Sequence, residues 1–88
     1  MHEQDRETIL KDLLASIHKL IGDTRQQRVE LKTLEADVEK CYASGEMTDF
    51  YYAVSQERLR RFHQNIDYCL RSLDHQKKIT LTKLQELD

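Results

Sequence analysis

Apolar side chains recur through the first half of the chain at alternating steps of three and four. The series is Leu10, Leu13, Ile17, Leu20, Thr24, Gln27, Leu31, Leu34, Val38 and Cys41. Such alternation is the heptad seam of a paired helix. Only Thr24 and Gln27 are polar within it, and charged residues such as Lys11, Asp12, Arg25, Glu30, Lys32 and Lys40 fill the positions between. The pattern predicts a helix over about 5–44, a turn over 45–47 and a second helix over about 48–87. The whole chain then forms a single helical domain.

Gly22 offers an alternative, a three-helix bundle with a break at that residue. Thr24 and Gln27 even have the spacing of a capping box. Against this, the seam keeps its register from Leu20 to Leu31, and a loop would normally shift it. One interior Gly costs a helix only about 1 kcal/mol relative to Ala. A continuous helix through Gly22 is therefore the favoured reading.

Gly45 stands where a left-handed residue ends a helix. Thr48 or Asp49 then caps the return helix. A short turn between long helices makes them antiparallel neighbours. The return helix carries Tyr52, Leu59, Phe62, Ile66, Cys69, Leu70, Leu73, Leu81, Leu84 and Leu87. Beyond Leu73 its seam drifts, with Lys77 in the way, as at a stutter. The hairpin seam is thus read as Leu10, Leu20, Leu31, Leu34, Val38, Leu59, Phe62, Ile66 and Leu73. With the tip near Glu46, Gln27 lies opposite Asn65, and the two are expected to form a polar layer together with Tyr68.

Leu14 and Ile21 add an apolar strip beside this seam, and Ile9, Leu70 and Leu84 lie off it as well. A two-helix seam needs a narrow stripe, whereas a bundle needs a wider one. The open end of the hairpin, with Ile9, Leu13, Leu14, Ile17, Ile21, Leu70, Leu81, Leu84 and Leu87, is accordingly the expected interface. It would complete a bundle with a protein partner or a homodimer. In the aromatic run Phe50-Tyr51-Tyr52, Tyr52 is expected to staple the tip onto Val38 and Tyr42. Phe50 or Tyr51 is left for a partner.

Composition narrows the classes. The chain has 88 residues, no Pro, two Gly and 34% charged residues. A chain this short has a marginal core, which disulfides, a metal or association must supplement. Cys41 and Cys69 lie roughly 27 Å apart along a helical hairpin, too far for a bridge. Both are read as small apolar residues.

The net charge of −2 gives no electrostatic reason to expect nucleic acid. No apolar run suits a membrane span, and the polar start is unlike a signal peptide, so a cytoplasmic setting is expected. His2, His18, His63 and His75 lack metal-ligand spacing. There is no phosphate loop and no nucleophile motif, so neither a cofactor nor a small-molecule substrate is expected, nor an enzyme.

The stretch Gly45-Glu46-Met47-Thr48-Asp49-Phe50-Tyr51-Tyr52, followed by Leu59, Phe62, Ile66 and Leu73, resembles the tip and return helix of the FliJ/YscO-like stalk proteins of flagellar and type III secretion export. The resemblance covers residues 45–88. It implies an antiparallel coiled coil that associates with an export ATPase and with escort chaperones. A second stretch, Leu73-Asp74-His75-Gln76-Lys77-Lys78, looks like the dimerisation helix of some MerR-type regulators. The expected function is a small helical adaptor or chaperone. The alternatives are a self-associating four-helix-bundle module and a small regulator that binds a transcription or signalling protein.

Overall fold

The computed structural model describes residues 3–87. The chain is an all-α, antiparallel helical hairpin of α1 (Glu3–Ala43) and α2 (Asp49–Glu86). Neither helix contains a Pro, and α1 runs unbroken through Gly22 for 41 residues. The Thr24 hydroxyl donates to the Leu20 carbonyl at 2.7 Å, so Thr24 is an interior residue bonding back one turn and not a cap. The three-helix alternative is thereby set aside.

The turn is fixed by backbone chemistry at both ends. Gly45 has φ +79°, the left-handed conformation that terminates α1. The Glu46 amide donates to the Cys41 carbonyl at 3.0 Å and the Gly45 amide to the Tyr42 carbonyl at 3.1 Å. Together these bonds form a Schellman motif, which satisfies carbonyls the helix end would orphan. Thr48 caps α2: its hydroxyl accepts the Tyr51 amide at 3.2 Å, and its carbonyl accepts the Tyr52 amide at 2.9 Å. Asp49 follows in the first turn, where a negative charge is favourable.

The paired helices divide into two compact units. One joins the chain up to Thr24 with the residues from Cys69 onward, and the other is Arg25–Tyr68. In the Arg25–Tyr68 unit the core is Val38, Leu59 and Ile66, each under a tenth exposed. Tyr42 stacks on Tyr52 at 3.9 Å between ring centroids, which closes the tip. In the other unit Leu10, Ile17 and Thr80 are buried. Thr80 is fully buried, and its hydroxyl donates to the Gln76 carbonyl at 2.8 Å, which satisfies it within its own helix.

The seam differs from the expected one in its flank. On α1 the buried and half-buried positions are Glu7, Leu10, Leu14, Ile17, Ile21, Thr24, Arg28, Leu31, Glu35, Val38 and Cys41. Leu10, Leu31 and Val38 are seam residues as expected. Leu20 and Leu34 are half exposed, and Gln27 is exposed. The inward row lies one residue further along the chain, on Leu14, Ile21, Arg28 and Glu35.

The physical reason is that Arg28 and Glu35 are met from across the hairpin. Arg28 donates to the Asp67 carboxylate and to the His63 carbonyl, and the His63 ring pairs with Glu35. Charged groups met this way can face inward, and of the Arg28 guanidinium it is Nη2 that is met while the buried Nε has no hydrogen-bond partner.

The same correction applies to α2. Its inward row is Tyr52, Gln56, Leu59, His63, Ile66, Leu70, Leu73, Lys77, Thr80, Leu84 and Leu87, all buried or half-buried. These steps keep to three and four to the end, so there is no stutter at Lys77. Phe62 is 53% exposed and lies outside the seam. Asn65 and Tyr68 are exposed as well. No layer of Gln27, Asn65 and Tyr68 forms, and the polar layer of this unit consists of Arg28, Asp67, Glu35 and His63.

Candidate protein-interaction surface

With the inward rows known, each helix has two flanks bordering the seam, and they differ sharply in chemistry. One flank of α1 reads Lys11, His18, Arg25, Lys32, Glu39. The other, at the same seven-residue spacing, reads Leu13, Leu20, Gln27, Leu34, Cys41. Positions beside a two-stranded seam ordinarily carry charge. Here the charged flank meets that rule and the other departs from it. Leu20 is 50% and Leu34 49% exposed, and Leu13 and Ile9 are exposed too.

Within the Arg25–Tyr68 unit, α2 continues this face. One heptad back from Tyr42 is Glu35, and one heptad on from Tyr52 is Leu59. Leu34 and Phe62 border that level on the same flank, the one away from Asp67. Asp37 and Arg58 lie beside them, one turn toward the outside, and both are exposed. An apolar pair with an acid on one helix and a base on the other is therefore open to solvent.

The expected interface residues fall into three groups. Ile9, Leu13 and Leu81 are exposed. Leu14, Ile21, Leu70, Leu84 and Leu87 are half-buried along the hairpin's own seam. Ile17 is 2% exposed, so it serves the core of the hairpin and is not open to a partner. Hydropathy alone places Leu20, Leu34 and Phe62 in the seam, since it favours Leu34 over Glu35 and Phe62 over His63. The signal that finds them is the complementary charge of Arg28 with Asp67 and of Glu35 with His63.

The opposite flank of the Arg25–Tyr68 unit is polar and internally paired. A depression of about 580 Å³ is lined by Glu35, Ala53, Gln56, Glu57, Leu59, Arg60 and His63. Its polar groups already serve one another. Glu35 meets His63, and Gln56 donates to Glu39 at 2.7 Å. Glu57 accepts from Arg60 at 2.5 Å and from Arg61 at 3.1 Å. The Arg60 hydrogen bond holds the Glu57 carboxyl below its usual range against an opposing desolvation, and Arg61 adds to the lowering. Glu57 thus offsets Arg60 and Arg61, whereas Asp67 is paired with Arg28 and Glu35 with His63.

At the tip, Tyr42 donates to Asp49 at 2.7 Å and Tyr52 to Glu39 at 2.6 Å. These hydrogen bonds to carboxylates raise both phenol pKa values. Tyr52 is thus held in the hairpin. Phe50 and Tyr51 are 72% and 64% exposed and meet each other edge to face.

Cys41 and Cys69 are free thiols, the first half-buried and the second exposed. Among the described residues no group of three or more His, Cys, Asp or Glu side chains is gathered as for a metal ion. No helix among them is long and apolar enough to cross a membrane. No family model, curated protein or solved structure matches this chain.

Proposed function

We propose that this chain is a non-enzymatic helical adaptor or chaperone that holds another protein surface on its apolar flank. The observation that carries this reading is the contrast between the two flanks of α1. Leu13, Leu20 and Leu34 are exposed where a self-sufficient two-helix coil would carry charge, while Lys11, Arg25 and Lys32 occupy the matching positions opposite. A heptad-spaced apolar row presented to water is what a further helix packs against.

The paired state of the polar groups in the depression near His63 supports a role without catalysis, because those groups are committed to one another. The setting proposed is a cytoplasmic one, beside a flagellar or type III export apparatus, on the resemblance of the tip and return helix.

Site-specific photocrosslinking in the native cell tests this reading. A benzophenone side chain at Leu20 or Leu34 is expected to give protein adducts. The same group at Lys32 or Lys11 gives few. Equal yields from both flanks would remove the reading.

A further inference from the structure

We propose that the face carrying Leu34 and Phe62 is covered by a second copy of this chain, with Leu34 of each copy over Phe62 of the other. This names the partner for the reading above and rests on it. Leu34 and Phe62 stand at one level on one flank, on different helices, and are 49% and 53% exposed. A two-fold axis parallel to the helices exchanges α1 and α2 at a constant level. Each apolar residue then meets the other kind, and the contact is isologous.

Charge fits the same operation. Asp37 lies three residues beyond Leu34, and Arg58 lies four before Phe62, which places each on the outer edge of the face. Both are exposed, and among the described residues neither takes part in an ion pair of its own chain. The two-fold sets Asp37 of each copy over Arg58 of the other, so both edges of the contact close with opposite charges. The charged flank matches less well, since Lys32 on α1 would face Arg60 on α2.

Two copies of the Arg25–Tyr68 unit meeting on this face form a four-helix arrangement.

Sedimentation equilibrium of the full chain from nanomolar to high micromolar concentration, with circular dichroism, tests the proposal. The expected result is a reversible dimer. Leu34→Glu with Phe62→Glu weakens it on the order of a hundredfold while helicity at high concentration is kept. Val29→Glu, at an exposed apolar position on another side of α1, leaves it unchanged. Should the double variant lose its helices, the charge exchange decides. Asp37→Arg alone weakens the dimer, and Asp37→Arg with Arg58→Asp restores it.

A dimer indifferent to all these changes overturns the proposal. So does a wild-type monomer at every concentration. In that event binding of the apolar dye ANS separates the two readings. A monomer that binds the dye through Leu34 and Phe62 has an uncovered face, so only the second copy fails. A monomer that does not bind it takes the adaptor reading down as well.

Discussion

Single residues at the turn and in α1 show how much one backbone conformation decides. Gly22 and Gly45 are alike in sequence and opposite in role. A Cβ at Gly22 meets nothing within 4 Å, and the helix passes straight through. Gly22→Ala is therefore expected to stabilise the chain by about 1 kcal/mol, seen as a higher midpoint in thermal unfolding. Gly45 also has free space around it, but its φ of +79° strains any L side chain. Gly45→Ala is expected to cost about 1 kcal/mol in the same measurement. If Gly22→Ala destabilised instead, a continuous α1 would be wrong.

The stacked tyrosines give the tip a pH dependence. The Tyr42 and Tyr52 phenols donate to carboxylates, so their folded pKa values lie above the ordinary value near 10. A proton held more tightly in the folded state stabilises it at all pH values below the unfolded pKa. That contribution is lost as pH rises through the folded one. A tyrosinate absorbance titration should show a late alkaline phase that disappears in the Tyr42→Phe, Tyr52→Phe double variant. No late phase in the unchanged chain would show that these hydrogen bonds do not form.

At the scale of the helices, the elements were legible and their flank was not. The absence of Pro, the unbroken three-four rhythm and the Gly45–Thr48 sequence were enough for two helices and an antiparallel turn. The second row of the α1 seam lies one residue beyond the row that hydropathy favours. Leu13, Leu20 and Leu34 form as regular an apolar series as Leu14 and Ile21, and hydropathy breaks the tie wrongly at Arg28 and Glu35. Period alone cannot tell which of two adjacent rows turns inward.

The deciding fact is non-local: Asp67 and His63 answer those charges from the other helix. Thr80 shows the same limit. It is fully buried because its hydroxyl is satisfied within its helix, so a polar residue continues the seam where a stutter was expected.

The inward pair yields a test at this scale. His63→Leu alone leaves Glu35 half-buried without its partner and is expected to cost about 1 kcal/mol. His63→Leu with Glu35→Leu replaces the pair by apolar volume and is expected to recover that loss or exceed it. Chemical denaturation of the variants measures both. A double variant less stable than His63→Leu alone would show that the pair does not face inward.

For the molecule as a whole, the hairpin and its exposed apolar row follow from different parts of the chain. The shape class comes from the turn and the inward rows. The proposed interaction surface comes from the row left outside, and its membership differs from the expected one. Ile17 belongs to the core, whereas Leu20, Leu34 and Phe62 belong to the exposed face. The unread part is again the choice between adjacent rows, since every residue concerned is an ordinary helix-forming hydrophobe.

Thiol labelling at four positions tests that choice most directly. In a background with Cys41→Ser and Cys69→Ser, single substitutions Leu20→Cys, Leu34→Cys, Ile17→Cys and Val38→Cys are labelled with a maleimide. In dilute purified chain, Leu20→Cys and Leu34→Cys should react fast and the other two slowly. In the native cell the two fast sites should become protected. Slow reaction at Leu20→Cys and Leu34→Cys in the dilute chain, or fast reaction there in the cell, would contradict an apolar flank that is exposed by the fold and covered by a partner.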